Sequence, residues 1–410
     1  MQSKNYPWIV VGLLWVVALL NYMDRQMLSV MRPAMQVDIA QLNSASNFGH
    51  LMAIFLWIYG IASPLSGIIA DKTNRKWLIV YSLLVWSAVT FAMGYATTFN
   101  QIYWLRAIMG ISEALYIPAG LSLLADYHSS KTRSLAIGIH MTGFYIGQAL
   151  GGFGATIAAR FSWQATFHSF GMVGILYAFV LVIFLKERKR LFDIPVETHS
   201  RFKGLTVLFS SIPFWIILFY FAVASLPGWA AKNWLPTLFA QNLHMPMAKA
   251  GPLSTIAIAA SSLLGVILGG LLSDRWVQKN VKGRVYTSAI GLSLTIPSLL
   301  LLGFGNTTYA IIVAAVCFGL GYGIFDANNM PIVCQFVPDK YKATAYGMMN
   351  MTGVFFGAFI TDLLGQSSDA GHLGIDFAML GFVVLIAIGA QLYFLRPRGK
   401  DFADNSNTIV

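Results

Sequence analysis

The chain of 410 residues is 57% hydrophobic and only 10% charged, whereas soluble domains carry about 25% charged residues, so a water-soluble protein of this length is excluded. Its formal net charge is +11, but the cations lie between apolar runs rather than on one basic face, which points to membrane topology and not to nucleic acid. Cys317 and Cys334 fall in one predicted helix and offer neither a disulfide framework nor a metal-ligand spacing.

A helix needs about 20 largely apolar residues to cross a bilayer. Twelve such spans are predicted, at 7–32, 47–70, 77–96, 98–126, 133–158, 163–185, 211–239, 249–273, 284–304, 308–336, 343–365 and 373–395. The first run is too long for a signal-peptide core and lacks a small-residue cleavage site, so no cleaved leader is expected. The polar stretch 186–210 separates an N-terminal six-helix bundle (1–185) from a C-terminal one (211–410) and reads as a cytoplasmic linker. Its basic start, Lys186 to Arg190, is suited to anionic lipid headgroups. Loop Lys and Arg residues gather on the side of the N-terminus and leave only Arg32, Arg160 and Lys249 opposite. Both termini are therefore expected in the cytoplasm, with the chain in the inner membrane.

The halves repeat. "GIIADK" (Gly67 to Lys72) recurs as "GLLSDR" (Gly270 to Arg275), and "HMTGFYIG" (His140 to Gly147) recurs as "NMTGVFFG" (Asn350 to Gly357). Parallel repeats of this kind are a transporter architecture with a substrate site near the midplane between the halves.

The first span carries an acid and a base inside "NYMDRQMLSV", at Asp24 and Arg25. Intramembrane charges are costly and are functional by default. Neighbours in sequence point about 100° apart on a helix, so each needs a partner from another element. The fourth span offers Arg106 and Glu113, two turns apart on one face of "LRAIMGISEALY". Arginine keeps its charge when buried and presents a fork that fits a carboxylate, which makes Arg25 and Arg106 the candidate anion binders. A carboxyl withdrawn from water can exchange a proton near neutral pH, which makes Asp24 and Glu113 the candidate proton carriers. The alternative is a pair of interhelical salt bridges that only fix packing.

"GIIADKTNRK" (67–76) resembles the loop signature of the major facilitator superfamily, with Asn74 in place of a glycine. That resemblance implies an all-α integral membrane protein with twelve transmembrane helices in two six-helix pseudo-repeats. It also implies a gating role for Gly67, Asp71, Arg75 and the repeat mates Asp274 and Arg275; a merely topogenic basic loop is the alternative. "NYMDRQMLSV", "LRAIMGISEALYIPAG", "FLWIYG", "FAVAS", "NWLP" and "YGMMNMTG" resemble the anion:cation symporter branch, which includes hexuronate, galactonate and sialin-like carriers. By that resemblance Asp24 and Glu113 match proton-coupling acids, Arg25 and Arg106 match carboxylate-binding arginines, and Tyr22, Tyr59 and Asn350 match pocket-lining positions. Phe144 and Tyr145 depart from it, standing where several members carry glutamine, as do Asp326, Asn328 and Asn329, where an aromatic is usual.

These three polar residues of the tenth span could bond sugar hydroxyls or only neighbouring helices. Tyr59 and Tyr116 could support a sugar face. Lys232 could attract anions, pair with an acid or, as the favoured reading, snorkel outward; His140, the repeat mate of Asn350, could line the cavity or, as the favoured reading, be a satisfied core residue. The expectation is proton-coupled import of an organic anion, a monocarboxylate sugar acid such as a hexuronate, aldonate or sialic acid, by a monomer with lipid neighbours and no cofactor, nucleic-acid partner or enzymatic activity. "GISEALY" also resembles the Spinster branch of lipid carriers, the alternative substrate class. A non-transporting membrane enzyme or sensor would need a nucleophile, a metal set or an added domain, none of which the sequence offers.

Overall fold

The computed structural model describes residues 5–129, 132–187, 206–338 and 341–397, apart from the side chains of Asp71, Ser134 and Ala343. Most of the expected linker (188–205) therefore lies outside the described residues. The helices are α1 (Tyr6–Ser29), α2 (Arg32–Met35), α3 (Ala45–Lys72), α4 (Arg75–Met93), α5 (Phe99–Ala114), α6 (Tyr116–Tyr127), α7 (Arg133–Gly151), α8 (Gly154–Arg160) and α9 (Trp163–Phe184). They continue as α10 (Ile212–Asn242), α11 (Met247–Val277), α12 (Gly283–Phe304), α13 (Thr308–Asp326), α14 (Asn329–Phe336), α15 (Lys342–Asp369) and α16 (Leu373–Phe394).

Local chemistry sets these boundaries. Ser44, Asn74, Ser162 and Thr307 each accept a backbone N–H at a helix start, and Thr98 with Gln101 forms a reciprocal capping box. Among the described residues, eleven helices are long and apolar enough to cross a membrane. The remaining expected span, the fifth, is the more polar α7, which carries His140 and Gln148 and breaks after Gly151 before α8. The fourth and tenth spans are also broken, between α5 and α6 and between α13 and α14. Large apolar side chains stand on the outside, with Ile183, Ile386 and Phe382 each about two-thirds exposed. Such a surface is tolerable only in lipid.

The chain forms two compact units. The first comprises Met1–Ile194, Trp229–Ala259 and Gly357–Leu373, and the second comprises Pro195–Gly228, Ala260–Phe356 and Gly374–Val410. In the first, α1 packs along α7, α4 along α9 and α3 along α5. The α1–α7 approach requires a residue without Cβ: at Gly143 a Cβ would lie 2.6 Å from the Trp15 carbonyl oxygen. In the second, α12 packs along α13, Tyr220 meets the Ser288 hydroxyl at 3.1 Å, and Gln391 donates to the Val285 carbonyl at 3.0 Å.

Polar contacts link the start of α3 to the last turns of α15. The Asp369 carboxylate accepts from Ser44 Oγ (2.7 Å), Ala45 N (2.6 Å) and Ser46 N (2.8 Å) at the start of α3. Arg32 lies 3.9 Å away and donates to the carbonyls of Leu42 and Asn43. One helical turn into α3, His50 pairs with Asp362.

Candidate functional site

The ionisable residues of the first unit converge on a pocket in its interior. Tyr22, Arg25 and Gln26 share one face of α1 at helical spacing, and they line the pocket with Met52, Phe55 and Leu56 of α3, Arg106 of α5, Gln148 of α7, and Trp229, Lys232 and Asn233 of α10. Asn21 and Asp24 fall on the adjoining face of α1, so the acids stand behind the cations.

Arg25 is held in place. Its Nε donates to Glu113 Oε2 at 2.5 Å, and the same oxygen accepts from Asn21 Nδ2 at 2.9 Å. Its guanidinium carbon lies 4.6 Å from the centre of the Tyr59 ring, 4.8 Å from Phe55 and 5.2 Å from Tyr22, a cage of aromatic faces that attracts a cation. Glu113 is fully buried, and its Oε1 has no partner. Asp24, also buried, receives only a 3.4 Å bond from Thr90 Oγ1, and its Oδ1 is unpaired.

Arg106 is held differently. It is 3% exposed, and its centre lies 4.5 Å from the Phe55 ring. Its Nη1 reaches only the Met109 sulfur at 3.0 Å, and its Nε is unpaired. Among the described residues no carboxylate comes within 4.0 Å of it. A buried guanidinium with an unpaired N–H beside a pocket has hydrogen-bonding capacity that no described group satisfies.

Other expected site residues lie elsewhere. Tyr59 backs Arg25 without lining the pocket. Tyr116 is fully buried: its hydroxyl donates to the Leu14 carbonyl at 2.8 Å and sits 2.7 Å from His140 Nε2. It is a core residue here, because the break between α5 and α6 turns it toward α1 and α7. His140 is likewise buried, and its neighbour Phe144 packs against Tyr22 at 4.7 Å.

In the second unit, Asn329 donates to Asp326 at 3.0 Å and Asn328 donates to its own helix at the Ile324 carbonyl (2.9 Å), so these residues bridge the α13–α14 break. Asn350 is half-buried on α15. Of the gating residues, Arg75 is buried and pairs with Asp126 of α6. Asp274 lies 3.8 Å from Arg284, and Arg275 is exposed. Asp71 is in the last turn of α3, and its side chain lies outside the described set. A Cβ on Gly67 or Gly270 would meet nothing within 4 Å, so neither glycine marks a close helix contact in this conformation.

Sequence reasoning missed Gln148 and Trp229, and favoured the outward of its readings for Lys232. Lys232 does not snorkel away; its ammonium lies 4.9 Å from Trp229 and 5.8 Å from Tyr22, inside the pocket. Its signal was present, since it is an intramembrane cation. Gln148, one turn beyond Phe144, was hidden in a glycine-rich run.

The family model described as Major Facilitator Superfamily matches residues 14–361. The chain belongs to the Major Facilitator Superfamily. This carrier is therefore a multi-pass membrane transporter and not an enzyme. It is similar to the hexuronate transporter of Bacillus subtilis (strain 168), 24% identical with 95% of this chain and 94% of that protein covered. It is also similar to the sphingosine-1-phosphate transporter SPNS2 of Xenopus tropicalis, 23% identical with 97% and 85% covered. Among solved structures, a bacterial homologue of the human lysosomal transporter Spinster aligns with a TM-score of 0.83 at 19% identity, over 98% of this chain and 99% of that one. That likeness establishes the fold alone.

Proposed function

We propose that this major facilitator carrier is a proton-coupled symporter that imports an organic anion, a carboxylate-bearing sugar derivative, across the inner membrane by alternating access, with both termini in the cytoplasm. The observation that carries this reading is Arg106: a buried guanidinium that faces the pocket with no acid of its own. A substrate carboxylate supplies the two parallel acceptors that the fork lacks. Arg25, one helix away, is already neutralised by Glu113. An arriving anion competes with Glu113 for Arg25, and an acid that loses its cationic partner binds a proton more readily. Substrate and proton then load together, which is the coupling a symporter requires. Tyr22, Trp229, Gln148 and Asn233 supply the ring faces and amide groups that sugar hydroxyls use. The similarity to the hexuronate transporter points the same way.

The test is uptake of labelled hexuronate, aldonate and sialic acid into proteoliposomes, with and without an inward proton gradient. Accumulation above equilibrium only with the gradient is the expected result; uptake indifferent to the gradient removes proton coupling. The similarity to SPNS2 favours a second reading, a lipid carrier. Transport of a lysolipid or sphingoid with no flux of any sugar acid would establish that reading instead.

A further inference from the structure

The pocket contains one cation more than a single carboxylate needs. Arg25 is cancelled by Glu113 at 2.5 Å. Arg106 and Lys232 both line the pocket, and among the described residues neither has an acid within 4.0 Å. Asp24 does not line it and faces Thr90 on the other side of α1.

Lys232 is placed there by contacts that leave its charge unspent. Its backbone carbonyl accepts from Gln26 Nε2 at 2.8 Å, and Gln26 is itself held by Ser29 at 2.7 Å. The next residues, Asn233 and Trp234, donate to the Thr361 hydroxyl (2.7 Å) and carbonyl (2.9 Å) on α15. Trp229, under the ammonium, lies against Gly357, where a Cβ would come within 2.6 Å of the indole. The backbone around Lys232 is thus tied to α1 and α15, while its ammonium rests over two aromatic faces. An unpaired charge at this depth is costly, and a backbone this firmly fixed does not let it leave.

We infer that Lys232 is a second anion subsite, on the α10 wall of the pocket, and that the preferred substrate is a sugar derivative carrying two acidic groups: one on the Arg106 fork and one on the Lys232 ammonium. This rests on the proposed reading of the pocket as an organic-anion site and narrows its substrate class. Arg106 suits the planar, bidentate partner, and Lys232, a point charge with three donors, suits the second group without demanding one geometry. Gln148 and Asn233 also line the pocket and are available to hydroxyls.

The test is calorimetric titration of the purified full-length carrier with a six-carbon sugar diacid, and with the uronic and aldonic monoacids of the same chain length. The wild type should prefer the diacid by at least about tenfold, the range of one charge-assisted hydrogen bond. Lys232→Gln should bring that ratio to about one, with the diacid losing clearly more affinity than the monoacids, and Lys232→Arg should retain the preference. Equal affinity of the wild type for diacid and monoacids overturns the inference, and does so even if Lys232→Gln yields no folded protein. An equal loss for both ligands in Lys232→Gln also overturns it. Either result leaves the organic-anion reading standing so long as monoacid binding depends on Arg106. If the wild type binds neither class, the organic-anion reading falls and this inference with it.

Discussion

The start and the middle of α3 neighbour polar regions built on opposite principles. At its start, the Asp369 carboxylate is saturated by Ser44, Ala45 and Ser46, with Arg32 beside it. Halfway along, Phe55 lies beneath Arg25 and Arg106, and there the unpaired atoms accumulate: Arg106 Nε, Arg25 Nη2, Glu113 Oε1 and Asp24 Oδ1. A buried polar group without a partner costs about 1–3 kcal/mol. The first region uses its polar groups to hold the chain together; the second holds them ready at the expense of stability. On the proposed reading, the contacts of Asp369 act as a latch and the unpaired groups around Phe55 as the binding site.

Breaking the deficit at its centre gives the largest expected effect. Arg106→Ala should weaken binding of any carboxylate substrate by at least about 30-fold, since removing one partner of a buried charge pair costs about 2–5 kcal/mol. Because Arg106 makes no direct ion pair among the described residues, melting temperature should fall less than on loss of Arg25. A variant that binds normally but melts early would make Arg106 a packing residue. Arg25→Ala makes the contrast sharp: it strands Glu113 in the core and should destabilise the fold as well as transport.

Next in size is Glu113→Gln. Glutamine keeps an oxygen for Asn21 and Arg25 but cannot take up a proton. Exchange of substrate across the membrane should persist, and gradient-driven accumulation should disappear. Measuring both in the same proteoliposomes checks this; accumulation that survives unchanged moves the coupling acid to Asp24 or elsewhere.

Much of this was legible in the sequence. Hydropathy located the spans because lipid imposes the same length on each. The cost of intramembrane charge singled out Asp24, Arg25, Arg106 and Glu113. Which of them face the pocket was not legible, because the ordering of cations in front and acids behind depends on how α1 is rotated against α4 and α5. Tyr116 was misplaced for a related reason, since the break after Ala114 changes the direction of every side chain beyond it. The sequence does not decide between the readings of Lys232, because no local pattern shows that α10 is bonded to α1 and α15 at that level.

A smaller effect is expected at the latch. Asp369→Asn retains the size of the side chain but loses the charge that satisfies the start of α3, a loss of about 0.5–2 kcal/mol by analogy with helix caps. The latch should then open more often. A cysteine at Ala45, in a background without Cys317 and Cys334, should react faster with an impermeant maleimide in the Asp369→Asn variant than in its parent. Equal rates would mean that Asp369 is ornamental to closure and that the seal depends on His50 with Asp362.

The smallest effect is expected at the repeated glycines, where it separates gating from packing. Gly67 and Gly270 occupy equivalent places in the two halves, yet a Cβ on either meets nothing within 4 Å. An alanine inside a helix restricts the unfolded chain more than glycine does, so Gly67→Ala should stabilise this conformation by about 0.4–1 kcal/mol. If Gly67 is instead reserved for a close helix approach in the opposite state of the cycle, the added methyl raises the energy of that state while leaving this one comfortable. Transport should slow while melting temperature stays level or climbs and substrate preference is untouched. An unchanged initial rate would withdraw Gly67 from the gate and leave its recurrence at Gly270 as a remnant of the duplicated sequence.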